Sequence, residues 1–185
     1  MTTGQRQFKL AGLIGAVWGV MGFSLILLDA INRLAGIALH ALDSGLSGMQ
    51  WALLVLVVAL MAYSEGYRGF QKSFSPRSAA RAYYLYKHPE PLMVLLAPLF
   101  CMGFFRATRR PLLVAWVGTA LIIMVVVVLQ LSVQPWRGIV DAGVVVGLSW
   151  GLVSFLLDVL RVFRTGTYPV SPEVPGNEQD KEQGK

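Results

Sequence analysis

"PLLVAWVGTALIIMVVVVLQL", residues 111–131, is the stretch of sequence that decides the fold class of this chain. It contains no charged side chain, and at about 1.5 Å per residue it is long enough as an α-helix to cross the roughly 30 Å hydrocarbon layer of a bilayer. A β-barrel is the other structure that can span lipid, but its strands need alternating polarity, which this stretch lacks. The stretch therefore predicts an all-α integral membrane protein.

The composition of the whole chain agrees with this interpretation. Hydrophobic residues make up 55% of the 185 positions and charged residues only 14%, whereas soluble domains carry about a quarter charged residues. Long charge-free runs account for the deficit. We expect the first run to be a retained span, because its apolar part is too long for a signal peptide. The predicted transmembrane helices are 10–30, 49–65, 111–131 and 138–160.

A fifth apolar run, residues 91–105, is shorter and contains Pro98 and Gly103, which weaken a helix. The positive-inside rule tests whether it crosses. If it does not cross, 14 Lys and Arg lie on the inner side, and only Arg33 and Arg137 lie outside; if it crosses, the split is 8 to 8. We therefore predict that 91–105 is a re-entrant or surface segment and that both termini are cytoplasmic, in a bacterial inner membrane.

The polar stretch 64–89 follows the second span, and in this topology it lies against the cytoplasmic leaflet. Ser75-Pro76 is typical of a helix start and Pro89 of a helix end, so we predict an interfacial helix at 76–88.

Basic and aromatic residues are interleaved along this stretch, as suits an anionic membrane surface. Nucleic-acid binding is the weaker interpretation, because membrane spans flank the stretch on both sides. A structural junction between the span and the surface helix explains the same residues equally well. The candidate contacts for lipid or a partner are Glu65, Arg68, Lys72, Arg77 and Arg81.

Glycines recur at helical spacing in the first and last spans. Small residues on one face let helices approach closely, which is how spans associate when lipid supplies no hydrophobic drive. We interpret these faces as helix-packing seams, with a permeation path as the alternative. The seam residues are Gly12, Gly15, Gly19 and Gly22 in the first span, and Gly143, Gly147 and Gly151 in the last.

Acid and base residues end each seam. Asp29 and Arg33 stand at i,i+4, and Asp158 and Arg161 stand at i,i+3, which predicts two intramembrane ion pairs near span ends. The sequence has no zincin, nucleophile-elbow, Walker or dinucleotide motif, and Cys101 is its single cysteine. We predict no catalytic residue, no cofactor and no metal site.

These features predict a helical membrane domain, 1–164, and a disordered cytoplasmic tail, 165–185. The expected function is association with the chain itself as a homo-oligomer, with a membrane protein partner, or with anionic lipid. The alternative is an oligomeric small transporter or channel. Its route would pass Asp29, Arg33, Glu65 and Asp158.

Overall fold

The computed structural model of the protein describes residues 3–168 and 170–175, with side chains from Arg6 onward. In these ranges the chain is all-helical and has no strand. In chain order the elements are α1 (Thr3–Asp43), α2 (Gly48–Met61), a π-helical segment (Ala62–Phe74), α3 (Ser75–Lys87), α4 (Pro91–Leu95), α5 (Ala97–Met102), α6 (Arg109–Gln130) and α7 (Trp136–Thr165).

Four continuous helices are long and apolar enough to cross a membrane, and each contains most or all of one predicted span. They are Arg6–Asp43, Gly48–Lys87, Arg109–Gln130 and Trp136–Thr165.

The second of these helices begins with a capping box and does not stop where the sequence suggested. The Ser47 amide donates to Gln50 Oε1 at 2.8 Å, and the Gln50 amide donates to Ser47 Oγ at 3.4 Å. The third helix, α3, begins at Ser75, one residue before the predicted start at 76, but it continues directly from the π-helical segment, so the helical run is unbroken from Gly48 to Lys87. Pro76 has no backbone N–H to donate, and widening to π geometry before it is one way in which a helix continues past a proline.

The described chain divides into two compact units. Unit 1 contains the described residues up to Leu25, Ser75–Gly118, and the described residues from Phe155 onward. Unit 2 contains Ile26–Phe74 and Thr119–Ser154.

Unit 1 has its core around α3, which covers nearly all of the predicted interfacial helix 76–88 and is more buried than that prediction implies. Small side chains along α3 let it pack on several sides at once, whereas an interfacial helix keeps one face against lipid headgroups. The core joins α3 to α4 and α5 through Leu85, Met93 and Phe100, which are fully or almost fully buried. The buried residues of α3 are Ser75, Ser78, Ala79, Ala80, Arg81, Ala82, Tyr83 and Leu85.

The apolar run 91–105 forms two short helices in unit 1. The break falls at Leu96, Pro98 lies in the first turn of α5, and Gly103 ends α5 in the left-handed conformation at φ 88°. Neither helix is long enough to cross a bilayer.

The predicted tail, 165–185, is described only in part. Val174 is buried in the core of unit 1 beside residues of α3 and α5, and Ser171 is also buried. The Glu173 carbonyl accepts a hydrogen bond from the Thr108 amide at 2.9 Å. The stretch 171–174 is therefore packed. Pro169 and residues 176–185 lie outside the described residues.

Apolar side chains remain exposed along α2 and α6. No residue of α6 is buried, and large side chains such as Val114, Ile122 and Val128 are more than half exposed. Leu54 is the buried residue of α2. An apolar surface on all sides of a helix is stable in lipid and unfavourable in water.

Candidate functional site

The π-helical segment of unit 2 carries the clearest arrangement of exposed polar and aromatic groups. π-helices are rare, usually span a single turn, and are often found at functional sites, yet this one extends over 13 residues. Gly66 and Gly69 lower the preference for regular α-helix within it.

One side of the segment stacks two tyrosines and a lysine. The rings of Tyr63 and Tyr67 are stacked with centroids 6.0 Å apart, and Lys72 Nζ lies 5.4 Å from the Tyr67 ring centroid. Tyr63 is 59% exposed, and Arg68 and Lys72 are also exposed. We call Tyr63, Tyr67, Arg68 and Lys72 the tyrosine–lysine strip. It presents two cations and two amphipathic rings directly after the apolar α2.

The opposite side of the segment packs against α7 within unit 2. Trp150 Nε1 donates to Gln71 Oε1 at 2.8 Å, and a Cβ on Gly66 would lie 2.9 Å from the Trp150 ring. A Cβ on Gly151 would collide with the Phe70 ring. These contacts hold the segment in place while the strip faces outward.

Two of the candidate contacts, Glu65 and Arg68, form no ion pair with each other among those found in the described residues. Their i,i+3 spacing places two side chains on one face of an α-helix, but i→i+5 bonding in a π-helix turns them apart. Glu65 instead lies beside α7, where a Cβ on Gly147 would be 3.0 Å from Glu65 Cβ.

The other two predicted contacts, Arg77 and Arg81, belong to unit 1. Arg81 is 2% exposed, and it donates to the carbonyls of Phe100 at 2.9 Å and Glu173 at 3.3 Å. Arg77 is partly buried, with Nη1 3.8 Å from Glu173 Oε2. Arg81 is therefore used inside the core and does not fit the predicted lipid or partner contact.

The glycines of the first span lie against α3, α4 and α5 in unit 1. A Cβ on Gly12 would collide with the Tyr86 carbonyl oxygen, and one on Gly22 would collide with the Pro98 ring. A Cβ on Gly15 would be 3.0 Å from a methyl carbon of Val94. A Cβ on Gly19 would be 2.8 Å from Cys101 Sγ.

In unit 2, the glycines of the last span also meet neighbouring side chains. A Cβ on Gly143 would be 2.8 Å from a methyl carbon of Val57. Both glycine faces thus lie against neighbouring residues, which supports close helix packing.

Two predicted acid–base pairs are present. Asp29 Oδ2 is 3.0 Å from Arg33 Nε, and both side chains are mostly exposed. Asp158 Oδ1 is 3.7 Å from Arg161 Nη1.

Sequence reasoning missed a third pair on a helix, Arg137 with Asp141, whose Nε and Oδ2 atoms are 3.6 Å apart and whose carboxylate is buried. Its i,i+4 spacing was visible in the sequence. The order is base first, which is the less favourable one.

Neither a metal-binding cluster nor a reactive thiol is found among the described residues. They contain no group of three or more His, Cys, Asp or Glu side chains that could hold a metal ion. Cys101 is buried, and desolvation raises the pKa of its thiol to about 12, so it carries no reactive thiolate. Burial, together with Tyr83 and Tyr84, likewise raises the pKa of Tyr168 to about 12.

No family model, no curated protein and no solved structure matches the chain.

Proposed function

We propose that the protein is a multi-span protein of a bacterial inner membrane, with both termini cytoplasmic, and that it acts by binding anionic lipid through the tyrosine–lysine strip. Four apolar helices with extensively exposed apolar surface support membrane insertion. The 14 to 2 distribution of Lys and Arg supports the orientation. In this arrangement α2 ends at the cytoplasmic leaflet, where the strip begins.

The observation that carries the proposal is the position of Lys72 over the Tyr67 ring, which itself stacks on Tyr63. Tyrosine side chains favour the headgroup region because they have an apolar ring and a polar tip. The exposed Arg68 and Lys72 add two positive charges beside them. Each cation near an anionic membrane surface contributes about 1 kcal/mol.

The test is the number of phosphatidylglycerol molecules that remain bound to the purified full chain, counted by native mass spectrometry. Replacing Arg68 and Lys72 together with Gln should weaken this retention by about tenfold or more, because about 2 kcal/mol is lost. Tyr67→Ala should also reduce retention, whereas Tyr67→Phe should keep most of it.

The matched control replaces the exposed Arg109 and Arg110 with Gln. This variant removes the same charge from the same predicted side of the membrane, but these arginines belong to no stacked strip. Equal loss of lipid from the control and from the strip variant would show a general charge effect and would contradict the proposed site.

Association with a second copy or a membrane protein partner is a second candidate, favoured by the exposure of α6 along its whole length. Native mass measurement of the same sample tests it. A monomer with lipid alone would remove this candidate, while a dimer or a stoichiometric partner would support it.

A further inference from the structure

An open cleft in unit 2 brings together cations that are far apart in sequence. It has a volume of about 510 Å³ and lies between the C-terminal part of α1 and the start of α7. Its lining residues are Arg33, Gly36, Ile37, His40, Gln134 and Arg137. Arg33 is the one Lys or Arg between positions 9 and 68, and Arg137 is the one between positions 110 and 161. The two arginines thus meet in one cavity although long apolar runs separate them.

Each polar side chain of the lining can donate hydrogen bonds. The guanidinium groups only donate, and the imidazole of His40 and the amide of Gln134 both have N–H donors. No carboxylate lines the cleft. Gln134 Oε1, the acceptor of its amide, already accepts from the Gly138 amide at 3.3 Å. The lining therefore complements a ligand that is rich in acceptor oxygens.

The acidic partners of the two arginines leave much of each guanidinium available. Asp29 and Asp141 both approach through Nε, at 3.0 and 3.6 Å, so these ion pairs do not use the terminal nitrogens. The pair of Arg33 is mostly exposed to solvent, and exposed pairs are weak competitors for a ligand. A planar guanidinium with free terminal nitrogens can bind two oxygens of one anion.

Gly36 faces the open space of the cleft, since a Cβ at this position would meet no atom within 4 Å. The first-span glycines of unit 1 behave differently, because each of them lies against a neighbour. The glycine at position 36 therefore contributes space and no helix contact.

We propose that this cleft binds an oxyanion, a phosphate or a carboxylate, between Arg33 and Arg137, with His40 and Gln134 as further donors. The oxyanion is either a free anion or the headgroup of a lipid. The inference does not rest on the tyrosine–lysine strip, which is a separate set of residues.

The first experiment titrates inorganic phosphate, and acetate in parallel, into the full chain in nanodiscs of phosphatidylcholine and follows the thermal midpoint. A ligand that binds the folded chain raises this midpoint in proportion to the logarithm of its concentration. Arg33→Gln should weaken phosphate binding by about tenfold or more, the loss expected for hydrogen bonds from a charged donor. Arg33 is preferred to Arg137, whose removal would leave the buried Asp141 unpaired.

Gly36→Leu tests the cleft without changing charge. The leucine side chain should project into the cleft and weaken phosphate binding strongly, while the unliganded midpoint stays close to that of the original chain. Gly118→Leu is the matched control, because Gly118 also has open space around it but lies on α6. It should leave phosphate binding unchanged.

The second experiment distinguishes the two sources of the oxyanion. Nanodiscs that contain phosphatidylglycerol are analysed by native mass spectrometry for bound lipid. Loss of one lipid on Gly36→Leu, without a phosphate response, identifies a headgroup; a phosphate response in phosphatidylcholine identifies a free anion. The inference is overturned if neither phosphate, acetate nor phosphatidylglycerol binds, or if binding is the same in Arg33→Gln and Gly36→Leu as in the original chain.

Discussion

Arg81 is held against Phe100 in the core of unit 1: Nη1 donates to the Phe100 carbonyl at 2.9 Å, and the guanidinium carbon lies 5.2 Å from the centre of the Phe100 ring. Nη2 donates to the Glu173 carbonyl at 3.3 Å. One side chain of α3 thus joins α5 to the stretch 171–174. The guanidinium suits this role because its planar fork can reach two acceptors at once.

Arg81→Lys should lower the free energy of unfolding by about 1–3 kcal/mol. The ammonium stays buried but cannot donate to both carbonyls with the geometry of the fork, so part of its charge is left unsatisfied. Thermal or denaturant unfolding in detergent measures the change. Arg77→Lys, at a partly exposed position, is the control and should change stability by less than about 0.5 kcal/mol. Equal effects of the two substitutions would contradict the role given to Arg81.

Gly12→Ala and Gly36→Ala should have opposite effects although both positions lie in α1. A Cβ on Gly12 would collide with the backbone carbonyl of Tyr86, so the helices must move apart, at a cost of about 1–3 kcal/mol. A Cβ on Gly36 meets nothing, and alanine is the better helix former by about 0.5–1 kcal/mol. Unfolding in detergent compares the two variants. If Gly12→Ala is as stable as Gly36→Ala, the close contact of α1 with α3 is wrong.

The apolar helices could be predicted from the sequence, whereas the burial of individual cations could not. A long charge-free run such as 111–131 indicates a spanning helix by composition alone, because lipid accepts apolar side chains on every face. Arg81 resembles the exposed cations around it in sequence. Its burial depends on the carbonyls of Phe100 and Glu173, which are 19 and 92 positions away.

The candidate site could be located from sequence, but its internal geometry could not. Interleaved aromatic and basic residues pointed to 64–89, and three residues of the tyrosine–lysine strip lie there, with Tyr63 directly before them. Glu65 and Arg68 stand at i,i+3, which would place them on one face of an α-helix, but the π geometry turns them apart. Similarly, Arg33 and Arg137 could be placed on one side of the membrane, but only the packing of α1 with α7 in unit 2 brings them into one cleft.

Cys101 should resist modification in the folded chain at any pH up to about 10. Its thiol is buried and its pKa is raised from 9.0 to about 12, so the reactive thiolate is scarce. Mass spectrometry after maleimide treatment should find no label on the native chain and one label after denaturation. In Ser44→Cys, a cysteine at an exposed position should be labelled natively, while Cys101 stays unmodified.

The same pKa shift predicts a loss of stability in alkali. A folded-state pKa above the unfolded value means that the folded chain retains the proton longer. The contribution is therefore fully present below about pH 9 and decreases as the pH rises from there through about 12. Cys101→Ala should reduce this decrease. An unchanged alkaline profile in Cys101→Ala would exclude the thiol as a cause.

The proposed topology predicts which cysteines are accessible from outside the cell. Ser47→Cys should react with a membrane-impermeant maleimide in intact cells, whereas His88→Cys and Thr108→Cys should react only after permeabilisation. Both α4 and α5 are too short to cross a bilayer, so His88 and Thr108 should lie on the same side. Labelling of Thr108→Cys, but not His88→Cys, in intact cells would show that 91–105 crosses and would reject the four-span topology.

Truncation should show how much the packed stretch 171–174 contributes to the stability of unit 1. A chain that ends at Tyr168 loses Val174 from the core of unit 1, together with the Glu173 carbonyl that accepts from Arg81 and from the Thr108 amide. Burying a valine contributes about 1.5 kcal/mol or more, and each hydrogen bond from a charged donor adds about 1.5–3 kcal/mol.

The unfolding free energy of the chain that ends at Tyr168 should therefore fall by about 3–6 kcal/mol, as measured by thermal unfolding in detergent. The matched control ends at Pro175 and keeps every one of these contacts, so it should be more stable than the chain that ends at Tyr168 by this amount. Arg81→Lys should destabilise the chain that ends at Pro175 more than the chain that ends at Tyr168. Only the longer of the two chains still has the Glu173 carbonyl, which accepts the second hydrogen bond of the guanidinium. Additive effects of substitution and truncation would mean that Arg81 and the stretch 171–174 stabilise unit 1 independently.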